Sequence, residues 1–174
     1  MSLLQARVVS ALACSCTSFL VWGLSNAPVQ GSGAGREEVV LFTEGEAGEL
    51  RIEENKWDPV PRARSAQLGP VIVVRSPEVK RVEGSDIIEA HSPTDLEVHF
   101  QENQAPIDMS SLQISAKKGP FSKSLTDRLR PFVRGTTLAV DKVDVPSGKF
   151  QIEIVIKDDQ GQETAETYRL IVEK

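Results

Sequence analysis

The stretch Ser147–Lys174, SGKFQIEIVIKDDQGQETAETYRLIVEK, decides the fold. Phe150, Ile152, Ile154 and Ile156 recur at every second position, then Asp158, Asp159 and Gly161 break the alternation, and Tyr168, Leu170 and Val172 resume it. Successive side chains of a strand point to opposite faces, so each run predicts a half-buried β-strand. The interruption has two readings, a calcium loop or a tight turn. An EF-hand loop needs oxygen ligands at alternate positions, glycine at the sixth and a bidentate glutamate at the twelfth. Asp158 and Asp159 are adjacent and Gly161 follows three places after the first, so that spacing fails. A tight turn wants an Asp and a glycine free to take positive φ. The stretch therefore predicts a hairpin without a calcium site.

The same alternation extends upstream. TDLEVHFQ sets Leu96, Val98 and Phe100 against Glu97, His99 and Gln101, and SLQISAK sets Leu112, Ile114 and Ala116 against Gln113, Ser115 and Lys117. PVIVVRS and TTLAVDKV are further strand candidates, and turn signals separate the runs: SPE, HSPTD, ENQAPID, KKGP, VPSGK and DDQGQ. Short strands at this spacing, about seven of them, indicate an all-β, antiparallel sandwich or barrel. SKSLTDRLRPFVRG resists the pattern. Leu125 and Leu129 lie four apart, Ser124 is an N-cap candidate and Pro131 is expected to stop a helix at Arg130, so a short helical crossover is expected near 124–130, with an irregular edge strand as the alternative.

These turn and strand motifs resemble the bacterial immunoglobulin-like domains of secreted and surface proteins. The likeness runs over residues 69–174. It rests on Ser76-Pro77, on Pro93 to Phe100 with Glu102 one place late, on Pro146, Gly148 and Phe150, and on Asp158 and Gly161. It implies an immunoglobulin-like sandwich and no particular chemistry, because such motifs specify fold. Periplasmic copper-binding proteins with a similar sandwich use an N-terminal His, further His and sometimes Met. Residues 28–68 contain neither, and His91, His99 and Met109 do not restore the pattern, so the likeness does not bring copper with it.

Before residue 69 the composition changes. Val8–Leu24 is uncharged and follows Arg7, the shape of a secretory signal over residues 1–34, with small residues at Ser25-Asn26-Ala27 and Ser32-Gly33-Ala34 as cleavage candidates. Pro28 directly after the first disfavours it. An uncleaved anchor is the alternative, since about 17–25 apolar residues span a bilayer. Both place the domain outside, in the periplasm or beyond the cell, the second as a single-pass protein held by its N-terminus. A lipoprotein signal at the cysteines is weaker, because the apolar run continues to Trp22. Cys14 and Cys16 are the only cysteines and both lie in this segment, so a domain without it has no disulfide or thiolate site. Residues 35–68 read as an acidic lead-in and linker. VVLF and ELRI are expected as two short strands, and WDPVPRARSAQ as a proline-stiffened connection.

No phosphate-cradling loop, dinucleotide fingerprint or nucleophile elbow occurs. His91 and His99 alone make a poor metal site. No catalytic residue, metal or cofactor is expected. Beyond residue 34 there are 19 bases against 25 acids, which disfavours a nucleic-acid partner. The charge is uneven. Lys117, Lys118, Lys123, Arg128, Arg130 and Arg134 face one acid, Asp127, while residues 36–60 carry 3 bases and 8 acids. This basic segment and Trp57 are the candidate partner contacts. The acidic stretch docking internally competes with that role, as does plain solvation. If the cations face a partner, Arg128→Glu with Arg130→Glu leaves the fold intact. The expected function is an exported, non-catalytic binding or structural module of the cell envelope, its partner an envelope protein or a polysaccharide. Membrane contact is expected only through an uncleaved N-terminus. A metal-handling protein or enzyme with a site assembled from scattered surface residues is the alternative.

Overall fold

The computed structural model describes residues 39–53, 56–57 and 68–173. The signal-like segment and residues 58–67 of the connection lie outside these. Among the described residues no helix is long and apolar enough to cross a membrane.

Two sheets face each other. The first contains β1 (Val39–Val40), β2 (Val71–Ser76), β5 (Thr94–Gln101), β8 (Val133–Arg134) and β9 (Thr137–Asp144), in the order β1-β9-β5-β2 with β8 also on β9. The second contains β3 (Val79–Val82), β4 (Ser85–His91), β6 (Ile107–Lys118), β7 (Phe121–Ser124), β10 (Gly148–Asp158) and β11 (Glu163–Glu173), in the order β3-β4-β11-β10-β6-β7. An immunoglobulin sandwich sets strands A-B-E-D against G-F-C. Here β2, β5, β9 and β1 take the first four places and β11, β10 and β6 the other three. The fold is thus the expected immunoglobulin-like sandwich, with each sheet mixed: β1 runs parallel to β9 and β4 parallel to β11. The D place is filled from the N-terminus, where the usual strand would come between C and E.

The register follows the alternation. Phe100, Ile114, Ile154 and Leu170 are buried, with Phe150, Ile156, Tyr168 and Val172 beside them, and Ile152 is half-buried against the same core. Ile154→Ala is therefore expected to cost about 2–5 kcal/mol in a urea unfolding experiment, through lost transfer energy and the cavity left behind. At the β10–β11 hairpin Gly161 sits at φ +79°. The Asp158 carboxylate accepts the Gln160 and Gln162 backbone N–H at 3.0 and 2.8 Å, so the acid caps its own turn.

Two local expectations are corrected. ELRI is not a strand: Glu44–Leu50 forms helix α1. Two glycines in seven residues cost it about 1 kcal/mol each relative to alanine. A capping box offsets this, Thr43 Oγ1 accepting from Glu46 N and Glu46 Oε2 accepting from Thr43 N, and Ala47 and Leu50 are buried. Helix α2 (Thr126–Leu129) has Leu125, not Ser124, as N-cap; Ser124 ends β7. Thr126 Oγ1 instead bonds the backbone of Ile114, tying the crossover to β6. The α-helix ends at Leu129 with Arg130 as its C-cap, as expected ahead of Pro131, and a 3-10 turn, Arg130–Phe132, follows with proline where no N–H is required. The hairpin β3–β4 was not anticipated; it turns at Glu83 and Gly84, both at positive φ, as in a type I′ turn.

Candidate functional site

The acidic stretch docks on the basic segment. β1 lies on β9, and Leu41 N donates to Asp144 O at 2.9 Å. Phe42 is fully buried and stacks on Phe150, ring centroids 4.9 Å apart. On the far side of α1, Ile52 N donates to Lys149 O at 2.8 Å and Arg51 Nη2 to Ser147 O at 2.7 Å. Gly148 is required there, because a Cβ would meet Arg51 Nε at 2.7 Å at a φ of +155°. Residues 39–52, expected as a lead-in, are thus built into the sandwich.

This docking occupies three of the six cations expected to face a partner, and a fourth pairs within the sheet. Arg128 donates both guanidinium arms to the Glu46 carboxylate at 2.8 Å and a further bond to Leu41 O at 2.7 Å. Lys123 Nζ lies 3.0 Å from Glu46 Oε1, Lys118 Nζ donates to Glu49 O at 3.0 Å, and Lys117 Nζ lies 2.5 Å from Glu153 Oε2 on β10. Arg130 and Arg134 are exposed. Trp57 is half-buried with the Arg169 guanidinium 5.1 Å from its ring centroid, a cation–π contact with β11. Arg128→Glu would set a carboxylate against Glu46, so the double variant is expected to lose stability as well as charge.

Bonds from Arg128, then from Thr43 N and Lys123, hold the Glu46 carboxyl well below the usual carboxylate range. In the unfolded chain Glu46 takes up a proton near pH 4.5. The folded state resists this, so the group's stabilisation is complete above that pH and is lost as pH falls through the depressed folded value. Glu46→Gln should flatten the loss of urea midpoint between about pH 5 and 2. Parallel wild-type and variant curves would contradict the assignment.

An apolar cavity of about 70 Å³ lies between the sheets, bordered by half-buried Val74, Leu96 and Ile152. Its lining is hydrocarbon, without convergent polar groups to orient a substrate. Among the described residues no three His, Cys, Asp or Glu side chains gather as metal ligands would. His91 is exposed, and His99 is half-buried with Nε2 2.5 Å from Glu97 Oε1 on the same face of β5.

A second hollow, of about 400 Å³, opens at the surface between α1 and β7. Glu46, Glu49, Leu50, Phe121, Ser122 and Lys123 line it. Phe121 pairs with Lys118 and Lys123 with buried Ala116, so Phe121 shares the core-facing side of its sheet. β7 is the last strand of that sheet, and Phe121 is 70% exposed. Sequence reading did not single out Phe121; the available signal was an aromatic directly after Gly119-Pro120 among lysines and serines.

No protein-family model matches the chain, and no curated protein matches it. Among solved structures it is similar to CopC from Methylosinus trichosporium OB3b, at 16% identity and a TM-score of 0.36, covering 60% of this chain and 93% of that one. It is also similar to murine CRIg, at 9% identity and a TM-score of 0.34, covering 60% of this chain and 98% of that one. Likenesses of this degree carry no residue role or ligand over to this chain.

Proposed function

We propose that this chain is an exported, non-catalytic binding module of the cell envelope whose partner is an envelope protein or a polysaccharide. The observation that carries the reading is Phe121, the most exposed of the large apolar side chains described, beside a hollow of about 400 Å³ on a sheet edge. An aromatic side chain held in water beside a concavity supplies contact area at low entropic cost, to a partner's apolar side chain or to a sugar face. The hydrocarbon-lined interior supports a role through the surface. The basic segment contributes less than its sequence suggests, since four of its six cations hold groups of the domain itself.

The test immobilises the full chain and its Phe121→Ser variant and measures retention of envelope proteins and surface polysaccharides. Phe121 is exposed, so the variant keeps the fold. Saturable retention that weakens about tenfold in the variant is the expected result. Equal retention by both, or none by either, would contradict the proposal.

A further inference from the structure

We infer that residues 39–53 are an exchangeable element, able to occupy the same seat on a second copy of the chain and so build a reciprocal, strand-swapped dimer. The inference goes beyond the binding role proposed above and does not depend on it.

The seat is assembled without help from the segment's neighbours in sequence. Its parts are the outer side of β9, the Phe150 ring, the Arg128 fork and the Lys149 carbonyl, all far along the chain from the segment. Each contact is chemically the same whether the segment comes from its own chain or from another. The usual source of a D strand, the chain between β6 and β9, supplies none beyond the hairpin strand β7 and the two-residue β8, so the β9 edge depends on a strand delivered from elsewhere. Delivery runs through the ten residues 58–67, between Trp57 and Leu68, which include Pro59 and Pro61. Ten residues reach at most about 35 Å. Reciprocal exchange between two copies closes about a two-fold axis and leaves no open end.

The ion pair at the centre of the seat gives the test its handle. Glu46→Arg sets two cations together within one chain, and Arg128→Glu sets two carboxylates together. In a swapped pair of the two variants every 46–128 contact is matched again. The variants, separately and as a 1:1 mixture refolded together, would be measured by native mass spectrometry at about 20 µM, below the millimolar effective concentration of a short tether, so that exchange is favoured only where it matches the charges. A heterodimer as the main species of the mixture, absent from either variant alone, is the expected result, and it also serves if neither variant folds by itself. A mixture without heterodimer would overturn the inference. A second arm needs no variant: heavy-isotope and light wild-type chains refolded together at about 1 mM, near the effective concentration of a short tether, should give mixed-mass dimers. Monomers alone at that concentration would overturn it equally.

Discussion

Phe42→Ala is expected to remove about 3–5 kcal/mol from the unfolding free energy. Phe42 has no exposed surface, and its ring lies stacked on Phe150 with 23° between the planes. The substitution deletes a large apolar side chain, forfeits an aromatic pair worth about 0.5–1.5 kcal/mol beyond area and leaves a void at the junction of β1 and α1. A typical domain has only about 5–15 kcal/mol in all. The loss would be read as a fall in urea midpoint at unchanged slope. A loss below about 0.5 kcal/mol, the range of surface substitutions, would mean that the acidic stretch does not belong to the core.

Arg128→Glu should cost roughly 2–3 kcal/mol, from the loss of charge-assisted bonds and the repulsion that replaces them. The Arg128 side chain is 33% exposed and Glu46 18%, so solvent moderates the repulsion without removing it. The guanidinium also caps the Leu41 carbonyl, which the variant leaves without that donor. Arg130→Glu, on an exposed side chain, should change stability by no more than about 0.5 kcal/mol. Placing Glu46→Arg and Arg128→Glu in one chain should recover part of the loss, and the coupling energy of that cycle reports the pair directly. Additive effects would show that the two side chains do not interact.

Where the chain alternates cleanly, sequence sufficed. β5, β10 and β11 appear where period two placed them, and the Asp158–Gly161 turn follows from residue type alone. β3 and β4 were missed because VKRVEGSDIIEAH does not alternate: Ile87 and Ile88 are adjacent, and much of β3 is exposed. Only the Glu83-Gly84 pair marked the hairpin. α1 was misread because Gly45 and Gly48 hide a helix from propensity, although Thr43 and Glu46 stood at capping-box spacing. The two charge blocks were plain, but their pairing was not, since Glu46 and Arg128 are 82 residues apart. The exposure of Phe121 depends on how far the facing sheet reaches, which no local pattern encodes.

Residues 39–52 complete this sandwich. Native-state amide exchange tests this most directly, because protection follows the free energy of the opening that frees each hydrogen. The Leu41 N–H, bonded to Asp144 O, and the Ile52 N–H, bonded to Lys149 O, should be protected to nearly the same degree as the Ile154 N–H in the centre of β10. Leu41 and Ile52 exchanging at the rate of an open chain, while Ile154 stays protected, would contradict it.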